Sequence, residues 1–231
     1  MRRVLLLLLG IIIVNISAHT QSRRSIRVRA GEDIAQAYSP HGFYSFPAFS
    51  KATLFFRSGG NNSGLLFNYN ILGNSLQFIG PAGDTLEAAN TSSLDSVVFE
   101  KTHFYNAEGL AEMAASAGNL KLLKRISIKL QAENIGAYGQ PNPTSSIVNY
   151  NTFYSGINVY NLSINQDIVI VETTSWYLMD EKLQFRKASR QVLLEMLQGE
   201  FKSRAQKILG GRKVNFDKPA DLLQLFEELK D

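Results

Sequence analysis

The sequence predicts a mainly β protein of the α+β class: an antiparallel meander, curled toward a barrel or a sandwich, with two or three C-terminal helices. Three observations carry this. From residue 51 to about 105, short runs of aliphatic and aromatic residues alternate with clusters of Gly, Asn and Pro. Between 120 and 130 apolar residues recur at nearly every second position, the period of a half-buried strand. From Ala188 onward strand signals fade and apolar residues recur at helical spacing. The strand–helix alternation of a doubly wound sheet does not appear.

The chain has 231 residues, and its first 20 read as a secretory signal. Arg2 and Arg3 form a charged start, residues 4–14 an apolar run, and small and polar residues follow. Ala18 is placed for cleavage directly after it, or two positions on, after Thr20. Two of the 24 basic residues lie in this segment and all 20 acidic ones after it, so the exported chain carries 22 against 20, a net charge of +2. That near balance opposes a nucleic-acid partner, which calls for a dense basic face. No later apolar run approaches the ~20 residues of a membrane-spanning helix, so no transmembrane span is expected in the mature chain. A transmembrane barrel is not expected either, because the strands are short and a helical tail ends the chain. The absence of cysteine excludes disulfides, thiolate metal sites, a cysteine nucleophile and a lipid-anchored N-terminal Cys. The expected address is the periplasm, the envelope or the exterior.

Residues 21–50 form an irregular segment. It opens on Arg23, Arg24, Arg27 and Arg29, with Ile26 and Val28 on the opposite strand face from Arg27 and Arg29. A solvated edge strand or a mobile terminus explains this cluster better than contact with an anionic surface. Pro40, Gly42 and Pro47 then punctuate a stretch that wraps across a sheet or holds one short helix near 32–37.

The β-rich domain spans 51–187. Strands are predicted at 51–57, 64–70 and 75–79, separated by the loop 58–64 and a turn at Gly73-Asn74. GPAGDT (80–85) is the next turn, because Pro presets φ and Gly supplies positive φ. TLEAA and 94–100 continue the meander. Residues 106–117 fit a short helix through Leu110, Met113 and Ala114, ended by Gly118-Asn119, with a strand at Leu110 as the competing reading. Residues 120–130 place Leu120, Leu122, Ile126, Ile128 and Leu130 on one face and Lys121, Arg125, Ser127 and Lys129 on the other. A long strand with a cationic outer face follows. Strands resume at 151–162, 167–179 and 182–185, with Asn165-Gln166 as a hairpin turn.

The helical tail, 188–231, is expected to pack on the β domain. Ser189 caps a helix that turns Val192, Leu193, Met196 and Leu197 inward. Phe201, Ala205, Ile208 and Leu209 form the next stripe, ended by Gly210-Gly211. Asp217 caps a last helix with Pro219 in its first turn and Leu222, Leu223, Leu225, Phe226 and Leu229 on its buried face.

GLLFNYNILGNSLQFIGPAGDTLEAAN, LKLLKRISIKLQAENIGAYG with the following TSSI, and the closing VNFDKPADLLQLFEEL together resemble a family of exported β-rich proteins of Bacteroidota-type bacteria. The resemblance covers roughly residues 52–231. It implies a signal peptide, a β-rich body and a short helical tail. It implies no established activity and carries no catalytic residues to this chain.

Chemical motifs are sparse. Beyond the signal only His41 and His103 remain, without compact metal-ligand spacing, so no metal and no other cofactor is expected. Ser63 lies one position off a G-x-S-x-G elbow and is better explained by a hairpin loop. Glu32/Asp33, Asp84/Glu87 and Asp180/Glu181 are adjacent acids explained by turns and solvation rather than by a glycosidase pair. No catalytic residue is assigned. The long irregular segment 134–150 is the candidate contact site, through Tyr138, Gln140, Asn142, Ser145 and Ser146, suited to a small polar ligand or an envelope protein. The expected function is that of an exported envelope protein that binds a partner or scaffolds an assembly without catalysis. The alternatives are a small-ligand binder with an apolar pocket and, third, a hydrolase of envelope glycans or peptides.

Overall fold

The computed structural model describes residues 22–89, 91–107, 109–132 and 167–230. They form an antiparallel sheet of eleven strands, carrying one short helix near its start and three at its end. The strands are β1 (Ser22–Val28), β2 (Ser50–Phe56), β3 (Asn61–Asn70), β4 (Ser75–Ile79), β5 (Thr85–Glu87), β6 (Leu94–Phe99), β7 (Thr102–Asn106), β8 (Leu110–Ala117), β9 (Leu120–Ala132), β10 (Ile168–Met179) and β11 (Phe185–Lys187). The helices are α1 (Ile34–Tyr38), α2 (Arg190–Met196), α3 (Gly199–Gly211) and α4 (Pro219–Lys230).

The meander is real but interrupted. The strand order is β1-β10-β9-β8-β7-β6-β2-β3-β4-β5, so β6 returns from the far edge to lie beside β2. β11 pairs with residues 177–179 of β10, beyond the stretch 168–174 that pairs with β1. The sheet ends at β1 and β5 and does not close into a barrel or fold into a sandwich. β5 is only three residues long, a short edge that resists further pairing.

Residues 106–117 depart from the helical expectation. Leu110–Ala117 is a strand paired with β7 and β9, and a bulge lies between Met113 and Ala115. The bulge shifts parity by one residue, which makes the apolar spacing there mimic a helix. Gly118 and Asn119 form the β8–β9 hairpin turn instead of a helix end. Gly118 has φ +56, and a Cβ there would stand 2.8 Å from the Phe201 ring of α3. Ser63, expected in a loop, belongs to β3 and pairs with Thr53. The hairpin turn is shorter than the glycine content suggested, because Gly59 and Gly60 at φ +84 and +88 already reverse the chain.

Along β9 and β10 the parity of the pleat assigns each side chain to a face. The inner face carries two cores. At one end Val28, Ile128, Leu130, Ile168 and Ile170 pack with Ile34 and Tyr38 of α1 and with Leu54, Phe67, Phe99 and Phe104. At the other end Leu120, Leu122, Trp176 and Leu178 pack with Leu193, Leu197, Ala205, Leu209, Leu222, Leu225, Phe226 and Leu229 of the C-terminal segment. The outer face holds a smaller cluster of Tyr105, Ala111, Leu123 and Met179.

Local signals account for the helix ends. Asp33 accepts from the amides of Ala35 and Gln36 at 2.8 and 3.0 Å and so starts α1. Ser189 Oγ accepts from the Val192 amide at 3.2 Å and starts α2. Asp217 does not cap α4: Pro219 is the first helical residue, which leaves Asp217 one position outside the cap. Leu223, expected inside, is 38% exposed because it lies about 100° round the helix from Leu222, on the flank of the stripe formed by 222, 225, 226 and 229.

Candidate functional site

A polar belt crosses the inner face between its two cores. The inward row of β10 reads Ile168, Ile170, Glu172, Thr174, Trp176, Leu178, apolar at both ends and polar in the middle. The inward row of β9 reads Leu120, Leu122, Lys124, Ile126, Ile128, Leu130. Register then sets the neighbours: Glu112 lies opposite Lys124, which lies opposite Trp176. Two rows along, Arg24 lies opposite Glu172.

Charged groups brought to an inner face need partners. Glu172 accepts from the Tyr38 hydroxyl at 2.8 Å and lies 3.8 Å from Arg24. Lys124 stands 4.0 Å from Glu112. Both ion pairs are long, which leaves the two cations capable of meeting a further acceptor.

Over this belt, between the sheet and the segment that follows α1, lies a cleft of about 320 Å³. Its walls are aromatic and aliphatic, with Tyr38, Tyr44, Phe46, Tyr69, Phe104 and Ile126, and Arg24 and Lys124 reach into it together with Glu112 and His41. Burial pushes the Tyr69 phenol up to about 12. Burial and the adjacent Glu172 carboxylate raise Tyr38 as well. Both phenols therefore remain neutral donors at physiological pH. Tyr44 donates to Gln77 Oε1 at 2.7 Å, which orients its ring at the cleft. The arrangement suits a small molecule with an apolar body and a polar head.

A second, larger cleft of about 680 Å³ lies among Arg57, Asp95, Asn106, Tyr177, Lys182 and Phe185. Arg57 and Asp95 form an ion pair of 3.6 Å there, with Arg57 59% exposed. Lys182 and Leu183 lie in the β10–β11 turn. Arg57 and Lys182 stand in hairpin turns, which orient a ligand less well than the paired strands that carry Arg24, Glu112 and Lys124, so the inner cleft is the stronger candidate.

The structure distributes the expected residues as follows. Tyr138, Gln140, Asn142, Ser145 and Ser146 lie outside the described residues, as do Arg2, Arg3, Ala18, the strand at 151–162 and the Asn165-Gln166 turn. His41 lines the inner cleft, whereas His103 pairs with Val98 on the outer face and stacks on Tyr105 at 4.3 Å. The sheet separates the two histidines. Among the described residues no three His, Asp or Glu side chains gather at one point. The adjacent acids serve the backbone: Glu32 accepts from the Arg29 amide, and Asp180 from the amides of Lys182 and Gln184. Glu112 and Glu172, the two carboxylates of the belt, stand ~16 Å apart by strand rise and spacing, beyond the separation of a glycosidase pair.

Lys124, Glu112 and Glu172 were not singled out from sequence. The signal was present: each of Lys124 and Glu172 interrupts an apolar period-two row. Only the pairing of β8, β9, β10 and β1 turns these interruptions into a belt.

Burial, with Lys121 nearby, holds the His103 imidazole below its ordinary value of 6.5. The unfolded chain then binds this proton more readily than the native one. The resulting stability is full above 6.5 and falls as pH drops toward the lowered native value. Urea unfolding at about pH 7.5 and about pH 5 should show a steeper loss for the wild type than for His103→Gln. Equal losses would remove His103 as the cause.

No protein-family model, no curated protein and no solved structure matches the chain.

Proposed function

We propose that the protein is an exported, non-enzymatic binding protein whose inner-face cleft takes a small ligand with an apolar body and a charged head. The observation that carries this reading is the juxtaposition of the aromatic cleft with Arg24 and Lys124, both held on paired strands by long ion pairs. Buried aromatic walls supply non-directional affinity, and a few fixed polar groups orient the head. Export rests on the signal at residues 1–20 and places the ligand in the envelope or outside the cell. A scaffolding role within an envelope assembly is compatible with the same fold, but the cleft favours a small ligand.

Trp176 is the single tryptophan and lies opposite Lys124, 6% exposed, with no hydrogen-bond partner for its indole N–H among the described residues. Its emission therefore reports on the belt. Titration with single-chain amphiphiles carrying carboxylate, phosphate or choline heads is expected to shift that emission saturably for a charged-head class. Lys124→Met should weaken the anionic-head response about tenfold or more, since a charge-assisted hydrogen bond is lost. A flat titration across all heads, with the protein folded, would defeat the ligand-binding reading.

A further inference from the structure

We propose that the outer face of β1, β10, β9 and β11 is an electrostatic docking surface for an anionic lipid bilayer. Register places Arg23 and Arg27 of β1, Lys121, Arg125 and Lys129 of β9, and Lys187 of β11 on this one face. β10, which runs between them, presents only uncharged residues there, from Val169 to Met179. None of the four strands turns an Asp or Glu outward: Glu172, the one acid among them, faces inward to Arg24 and Tyr38. The same strands thus turn their one acid inward and six basic side chains outward.

Arg23, Arg27, Lys129 and Lys187 are exposed. Lys121 and Arg125 are half-buried and lie over the rings of Tyr105 and Tyr177, at 5.6 and 5.0 Å. An aromatic face beneath Lys121 holds it toward the surface without neutralising it, and Arg125 also donates to the Ala107 carbonyl at 2.9 Å. Strand spacing separates β1 from β9 by ~10 Å, and strand rise separates Lys121 from Lys129 by ~27 Å. The array is broad and shallow, which matches an extended polyanion rather than a single small ion. Residues 133–166, which connect β9 to β10, contain Glu133 as their one charged residue. The near-zero charge of the whole chain conceals this one-sided face.

A bilayer fits better than a compact acidic protein, because a sheet face offers cations in a plane with no groove to enclose a partner. Each Lys or Arg near an anionic membrane adds to the attraction, and the effect decays within a Debye length. The proposal stands independently of the inner cleft, which opens on the opposite side of the sheet.

All described elements lie within residues 22–230, so the form that begins after residue 20 retains them. This form is to be sedimented with vesicles of phosphatidylcholine, and with vesicles containing about 30% phosphatidylglycerol, at about 0.1 M and about 0.5 M salt. Binding is expected only to the anionic vesicles, with loss at the higher salt. Arg23→Glu with Lys129→Glu should lower the partition coefficient about tenfold or more, at an unchanged thermal midpoint. If that pair impairs folding, Arg23→Gln with Lys187→Gln should still lower it about threefold or more. Equal binding to both vesicle types, no binding to either, or charge variants that bind as the wild type would overturn the proposal. Retention on an acidic polysaccharide without vesicle binding would overturn the bilayer as the partner.

Discussion

Removing residues 188–231 is expected to abolish cooperative folding rather than leave a soluble sheet. Leu222, Leu225, Phe226 and Leu229 of α4 are fully buried, and they share one core with Leu120, Leu122, Trp176 and Leu178 of β9 and β10. At ~1.5–3 kcal/mol each, the four α4 side chains contribute roughly 6–12 kcal/mol gross. Net stabilities of natural domains are only about 5–15 kcal/mol. Truncation also leaves the inner end of β9 and β10 open to water, an apolar surface that promotes association. Far-UV and near-UV circular dichroism of the truncated chain should show lost tertiary signal and a broad thermal transition. The graded version is Phe226→Ala, expected to cost about 3–5 kcal/mol in urea unfolding. A truncated chain with the wild-type midpoint would show that the tail is separable, and would make an independent interaction role for it the better account.

Asn68→Leu is expected to destabilise the protein by about 2–4 kcal/mol although the substitution adds apolar surface to a buried site. Asn68 is 1% exposed. Its side-chain amide donates to the carbonyls of Phe46 and Ala48 at 2.9 and 3.3 Å, and its Oδ1 accepts from the amides of Phe46 and Tyr69 at 3.2 and 2.9 Å. The reason lies in the strand arrangement. Residues 43–45 continue the line of β2 along β3, through the Ser45 amide to the Tyr69 carbonyl and the Ile71 amide to the Phe43 carbonyl. Between them and β2 the ladder breaks at residues 46–49, and Asn68 takes over the backbone groups there. Leucine leaves those groups buried without partners. Phe46 packs on Phe99 at a ring separation of 4.7 Å and lines the inner cleft. The variant should therefore also blunt the Trp176 response to ligand. Urea unfolding by circular dichroism checks the first effect, and a midpoint equal to the wild type would mean that this network contributes little.

Much of the local architecture was legible from residue type and spacing. The strand Ser75–Ile79 between its turns, the long β9, β10 and the Ser189 cap follow from chemistry within a few residues of each. The errors have local causes too. The β8 bulge disguised a strand as a helical stripe, and two consecutive glycines closed a hairpin sooner than their loop-like surroundings implied. The candidate cleft was less legible, because it is assembled from β1, the segment after α1, β3 and β7–β9. No spacing in the chain links Arg24 to Glu172 or Glu112 to Lys124.

Residue order alone determined most of the extended segments and turns, the Ser189 start of α2, and that β9 carries cations on one face and apolar residues on the other. These depend on backbone preference and side-chain period, both local properties. Tertiary structure decided which strands meet. Period two assigns a face to every residue but names no partner strand. Only the pairing of β1 with β10 set Arg24 against Glu172, joined the arginines of the first strand to the lysines of β9, and left the sheet open with β6 returned beside β2. Partner choice depends on the sum of packing across the whole sheet, and so the belt, the cleft and the cationic face emerge only when the chain is folded.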